Sequence, residues 1–152
     1  MILVDTNVLV HAINTDAPQH EMSRALVKAV QTRRLDGALL PQILLEFFAI
    51  ITDGRRVARP LGAKEAWEQV KLLKVIFPVL DAGLKSLEYL KDAVTEGKVK
   101  GSDIFNAYLV AQMRACGISV ICTYNTRDFQ KYSGIIVQTP EELIPSRQDS
   151  GH

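Results

Sequence analysis

The chain has 152 residues, 47% of them hydrophobic and 23% charged, with a net charge of +1. That is the size and make-up of one ordinary domain with a sizeable core. Near-neutrality excludes an overall basic nucleic-acid-binding surface, so only local basic clusters can argue for a polyanionic partner.

Met1-Ile2-Leu3-Val4 is apolar without alternation and predicts a buried strand over 1–5, ended by an acid, Asp5. A helix is expected over 6–13 and another from Pro18 to Arg33, then a strand at Ala38–Leu40 and a helix over 42–52. After a basic loop, Gly54 to Gly62, come a helix from Ala63 to Lys74, a short strand at Phe77–Leu80 and a helix from Leu84 to Glu96. Gly97 to Gly101 reads as a flexible loop. A helix from Ser102 to Cys116 follows, then strands at Ile118–Cys122 and Ile135–Gln138, and a polar, frayed tail over Ser146 to His152. Strands separated by helices predict βαβ units, hence an α/β fold with a central, mostly parallel sheet of four to five strands and helices on both faces. The domain spans 1–145, with no internal repeat.

Four acids stand where folding has least use for a charge. Asp5 closes a buried strand, and the carboxyl ends of parallel strands open onto the crevice where ligands bind; capping the helix that follows is its other reading. Glu46 is the only ionisable residue of Ile43 to Ile51, a helix apolar nearly all round and expected to bury most of its faces. A buried lone carboxylate must be paired, protonated or bound to metal. Asp103 enters the first turn of a helix for which Ser102 is the natural N-cap, which leaves its side chain free to face a neighbouring strand end. Asp128 follows the strand 118–122 within Thr123-Tyr124-Asn125-Thr126-Arg127-Asp128-Phe129, with Phe129 read as an apolar anchor for the loop.

Basic residues lie near three of these acids in sequence: Arg55, Arg56 and Arg59 after the Glu46 helix, Lys98 and Lys100 before Asp103, Arg127 and Lys131 around Asp128. Such clusters suit backbone phosphates, although each alone is equally a solvated loop. Cys116 and Cys122 form no C-x-x-C and read as free, buried thiols of a reducing compartment. The histidines make no H-E-x-x-H pattern, and no glycine-rich phosphate loop appears. Asp5 interrupts the first apolar run, so no secretory leader is expected, and no stretch approaches the roughly 20 apolar residues of a membrane helix. A cytoplasmic protein is the expectation.

Four segments carry a resemblance: Val4-Asp5-Thr6-Asn7-Val8-Leu9, Pro41-Gln42 leading to Glu46-Phe47, the Ser102-Asp103 helix with its small residues, and Thr123-x-Asn125-Thr126-x-Asp128-Phe129. Together they resemble the PIN-domain family, and within it the VapC-type toxins of toxin–antitoxin pairs, in the family's order across residues 1 to about 140. The resemblance implies a metal-dependent endoribonuclease that uses one or two Mg²⁺ or Mn²⁺ ions, an antitoxin protein as partner, and a homodimer. An all-oxygen set without His or Cys independently selects hard cations. Asp5 and Asp103 are the expected metal ligands, Glu46 an orienting or second ligand, and Asp128 a ligand to a second ion. Thr6, Asn7, Thr123 and Asn125 support them. The basic residues Arg55, Arg56, Arg59, Lys98, Lys100 and Arg127 are expected to hold RNA.

One departure matters. Many family members place an acid where this chain has Asn125, which leaves the fourth ligand open between Asn125 and Asp128. Two rivals remain: a phosphatase of the haloacid-dehalogenase type, which wants an Asp where Asn7 stands, and a PIN-like protein that binds RNA or protein, or processes RNA, without acting as a toxin.

Overall fold

The computed structural model describes residues 1–145; the tail expected over Ser146 to His152 lies outside them. Ile2–Val4 form β1 in the middle of a wholly parallel sheet. Successive side chains of a strand point to opposite faces, and both Leu3 and Val4 are buried, so helices cover the two faces of the sheet. Gly37–Ala38 form β2 on one side of β1, Val120–Cys122 form β3 on the other, and Ile136–Gln138 form β4 beyond it, in the order β2-β1-β3-β4. In register, Leu3 lies opposite both Ala38 and Ile121, and Cys122 opposite both Val4 and Gln138.

The strand expected at Phe77–Leu80 is reduced to a single parallel bridge between Leu39 and Val79. Pro78 lacks a donor, and the segment remains an edge whose bonds run from Leu39 N to Pro78 O and from Leu80 N to Leu39 O. The sheet is therefore four strands and one edge bridge.

Seven helices are described: α1 (Thr6–Ile13), α2 (His20–Gln31), α3 (Pro41–Ile51), α4 (Ala63–Ile76), α5 (Ser86–Gly97), α6 (Ile104–Ala115) and α7 (Pro140–Leu143). α1 packs on α2 and α3, and α5 runs along α6. Leu9, Leu26, Ile43, Phe47, Leu109, Ile121 and Phe129 meet in one core. The chain leaves β1 for β2 on one side and later returns to β3 on the other. The strand order thus reverses between β1 and β3, the place where sheets of this kind form their ligand crevice.

Four expectations need correction. α2 starts at His20, two residues after Pro18, because 17–20 is taken up by a turn in which His20 N donates to Ala17 O. α3 is not buried all round: Pro41, Leu45 and Ala49 lie on an exposed face, with Leu45 69% accessible. Ser102 does not cap α6. The chain enters that helix through a 3-10 turn, Gly101–Asp103, whose Gly101 carbonyl already takes the N–H of Ile104. Asp103 holds the N-cap position in helical geometry and makes no side-chain cap bond. Of the two thiols, Cys122 is buried and Cys116 only half-buried. α7 was not expected, although Thr139 and Glu142 form a capping box around Pro140 at its first turn.

Candidate active site

The central pair of strands brings its two carboxyl ends together by continuing the ladder one step, with Asp5 N donating to Cys122 O. Asp5 turns out to be a cap and more. Its backbone is extended at the N-cap of α1, and Oδ1 accepts from Thr6 N at 2.8 Å. Its other oxygen, Oδ2, accepts from the Thr123 hydroxyl at 2.8 Å and from Asn7 Nδ2 at 3.3 Å. Burial pushes the Asp5 carboxyl above its usual range, against the three hydrogen bonds that lower it, and the nearby charge of Glu46 pushes the same way as burial.

Thr123 is the hub on the β3 side. Its hydroxyl donates to Asp5 and accepts from Asn7 Nδ2 at 3.1 Å and Asn125 N at 3.0 Å. Asn7 completes the tie, since its Oδ1 accepts from Tyr124 N at 3.0 Å. Each polar atom of the Asn7 side chain is thus engaged in structure.

Glu46 reaches the same place from α3. Thr6 Oγ1 donates to its Oε2 at 3.0 Å, and Gln42 Nε2, one helical turn earlier, donates to its Oε1 at 3.0 Å. Glu46 is half-buried rather than buried, because α3 keeps an open face. One threonine residue therefore separates two carboxylates: its amide serves Asp5 and its hydroxyl serves Glu46.

Asp103 and Asp128 stand apart from this pair, exposed on two 3-10 turns, Gly101–Asp103 and Thr126–Asp128. What they share is Tyr132. Burial first, then the charges of Asp103, Glu96 and Asp128, raise its hydroxyl pKa. That hydroxyl is buried without a partner, against Gly97 at the end of α5. Phe129 is fully buried and anchors the Asp128 turn as expected, yet Asp128 itself faces solvent, and so does Asn125. Among the described residues, no three acidic, histidine or cysteine side chains are gathered as a ready metal cage.

The basic residues divide. Lys98, Lys100 and Arg127 are exposed beside the Asp103 and Asp128 turns, and Lys131 Nζ donates to Gly97 O at 3.1 Å. Arg55, Arg56 and Arg59 are not brought to the acids. Arg59 lies 3.8 Å from Asp16, past the far end of α1 from Asp5, and eight helical residues span about 12 Å. Arg55 is engaged by Asp53 of its own loop, Nε to Oδ1 at 3.2 Å. A hollow of about 200 Å³ opens there, lined by Val10, Ile51 and Arg59, well away from the four acids.

Two functional-looking residues had no role in the sequence reading. Gln42 stood only as a motif letter, although its spacing from Glu46 is that of a helical side-chain pair. Gln112, 5% accessible, donates to Gln42 Oε1 at 2.9 Å; nothing local announces that contact across 70 positions.

Comparison with known proteins places the fold. Ribonuclease VapC24 of Mycobacterium tuberculosis is 26% identical over 134 residues, 87% of this chain and 91% of its own. A DNA-bound VapBC structure from Salmonella typhimurium superposes with a TM-score of 0.68 at 17% identity, covering 91% of this chain and 97% of that one. A toxin-antitoxin complex from Klebsiella pneumoniae gives a TM-score of 0.61 at 20% identity over 93% and 99% of the two chains. The PIN domain family matches residues 2–135. With nearly the whole described fold inside that match, the chain belongs to the PIN domain family.

Proposed function

We propose that the protein is a divalent-metal-dependent endoribonuclease and the toxin of a toxin–antitoxin pair. One observation carries the chemistry: a buried carboxylate at the switch point of the sheet, Asp5, is held by three donors and kept in charge contact with a second carboxylate, Glu46. Two neighbouring acids without a cation repel, and the folded chain tolerates that cost at a crevice rather than in its core. The relatives, a VapC ribonuclease and a toxin-antitoxin complex, suggest the substrate class and the partner class.

The donor set fits Mg²⁺ or Mn²⁺, being carboxylate and amide oxygen throughout. Asp5 and Glu46 would hold such an ion together with Asp103, and Asp128 or Asn125 would complete the set. Its chemistry there is to lower the pKa of an attacking water and to neutralise charge on the scissile phosphate. Thr123 and Asn7 keep the Asp5 oxygens in place, Thr6 and Gln42 those of Glu46. Lys98, Lys100 and Arg127 offer charge to the RNA backbone beside the exposed acids. Water as nucleophile leaves the 2′-OH unused, so the products carry 5′-phosphate and 3′-OH.

The phosphatase reading is disfavoured by Asn7, whose two amide hydrogens are spent on Asp5 and Thr123 and which has no carboxyl to carry the proton that chemistry wants there. A non-cutting RNA binder would have no need to hold Asp5 and Glu46 on either side of one threonine. An antitoxin and a second copy are the proposed protein partners; Trp67, Leu72 and Val75 of α4 leave apolar surface exposed for contact. No helix among the described residues is long and apolar enough to cross a membrane, and we place the protein in the cytoplasm.

The test is cleavage of RNA by the purified chain with Mg²⁺ or Mn²⁺, with EDTA, and with Asp5→Asn. Cleavage that needs the ion and Asp5 is expected. Cleavage indifferent to both overturns the reading. Induced expression should arrest growth with the wild-type chain and not with Asp5→Asn; harmless expression of an active enzyme would favour an RNA-processing role.

A further inference from the structure

Gln112 sits in the middle of α6 with its amide almost wholly removed from water. A buried amide in a helix interior is costly unless every hydrogen finds an acceptor. Here Nε2 donates to Gln42 Oε1 at 2.9 Å and to Tyr108 O at 3.3 Å. The first of these bonds decides which way the Gln42 amide faces. With Oε1 held by Gln112, Gln42 Nε2 is turned outward and divides its two hydrogens between Glu46 Oε1 and Phe105 O, each at 3.0 Å. A flipped Gln42 would set its oxygen against a carboxylate and a carbonyl, and would leave Gln112 facing a second donor. The chain of bonds therefore has one low-energy direction, from the interior of α6 to the outer oxygen of Glu46.

We propose that Gln112, acting through Gln42, is a positioning residue for Glu46, and that the pair locks α3 to the first turn of α6 so that Glu46 and Asp103 are presented to the divalent ion as one unit. The inference rests on the metal-dependent reading above. It adds the physical link that reading lacks, because Glu46 and Asp103 come from different helices and no direct contact joins them. Gln42 touches both elements: Glu46 on its own helix and, on α6, the carbonyl of Phe105, two residues after Asp103. Thr6 holds the opposite oxygen of Glu46. With Gln42 lost, Glu46 would keep one anchor and rotate about it.

The experiment measures Mn²⁺ binding to the RNA-free protein by calorimetry, with RNA cleavage measured alongside. Gln112→Met keeps the volume and removes the amide; we expect Mn²⁺ affinity to fall by about tenfold or more, the scale of loss when a group supporting a metal ligand is removed. Gln42→Met, on the partly open face of α3, should do the same, and it carries the test should Gln112→Met fail to fold. Gln112→Glu gives a reading that a space-filling role cannot. Its protonated carboxyl can donate to Gln42 and its ionised form cannot, so its affinity relative to wild type should recover as pH falls from about 9 to about 7, through the range in which a buried Glu takes up its proton. Mn²⁺ binding within about twofold of wild type in both Met variants, with Glu46→Gln impaired, overturns the positioning role and leaves the ribonuclease reading standing. Binding and cleavage unaltered by Glu46→Gln and Asp5→Asn would remove both.

Discussion

Thr123 Oγ1 donates to Asp5 Oδ2 at 2.8 Å across 118 positions of sequence, and the same oxygen receives two N–H groups. One buried hydroxyl thus satisfies a carboxylate, a side-chain amide and a backbone amide. Thr123→Val keeps the shape and removes all three bonds. Losing such bonds at a buried site costs about 1–3 kcal/mol, and Asn7 still donates to Asp5 Oδ2 in the variant, so thermal unfolding should show a loss of about that size. Thr123→Ser should restore most of it, and a silent Thr123→Val would mean that water replaces the hydroxyl.

The raised pKa of Asp5 makes stability depend on pH in a definite sense. Its folded value lies above that of a free carboxyl, so the folded chain holds the proton more tightly than the unfolded one. Stability is then greatest below the unfolded pKa and falls as pH rises through the raised folded value. Denaturant titrations of metal-free protein should show this slope beginning near pH 4. Asp5→Asn should flatten it, and Mg²⁺ should recover the stability lost at neutral pH.

Gly97 packs its Cα against Tyr132 so closely that a Cβ there would lie 2.7 Å from the tyrosine hydroxyl. Gly97→Ala should therefore destabilise by about 1–3 kcal/mol, as overpacked cores do. Tyr132→Phe removes a hydroxyl that has no partner and should cost little. The double variant should be more stable than Gly97→Ala alone. Strict additivity in a double-mutant cycle would show that the two residues are not in conflict.

The fourth acid is decided by comparing two variants. Asp128→Asn should cut turnover by orders of magnitude, with partial recovery at high Mn²⁺, if Asp128 supplies the ligand. Asn125→Ala should then be mild. The reverse result would assign the ligand to Asn125, which is equally exposed and closer to the Thr123 hub.

Arg59 lies past the far end of α1 from Asp5, and Arg55 and Arg59 both face local acids. Exposed pairs of this kind are weak and yield readily to phosphate. Joint replacement by Ala should flatten the dependence of log affinity on log salt by up to about two units on single-stranded RNA, at roughly 0.7 per phosphate contact. An unchanged slope would restrict RNA contact to Lys98, Lys100 and Arg127.

Much of this was legible in the chain. Apolar runs marked β1 as a buried strand and 118–122 as another strand, and the acid at the end of β1 marked the crevice. Phe129 marked its own anchoring. Adjacency in sequence misled where a helix intervened: the arginine loop follows the Glu46 helix directly, and that helix carries it away from the acids. The 3-10 entry to α6 was illegible because Ser-Asp before an apolar stretch serves a cap or a tight turn equally well. Gln112 was illegible for another reason, since a lone glutamine on a helix reads as surface until its partner is known. The capping box of α7 was there to read in Thr139-Pro140-Glu141-Glu142.

The tie between Asn7 and Tyr124 spans 117 positions, and with Thr123 it gives Asp5 its setting only when the third strand of the sheet has docked beside the first. A chain still being synthesised has its first acid early and its hub last. The setting of Asp5 therefore cannot exist until β3 has paired with β1, so this corner of the molecule takes shape with the long-range pairing of the sheet and not with the local folding of β1 and α1.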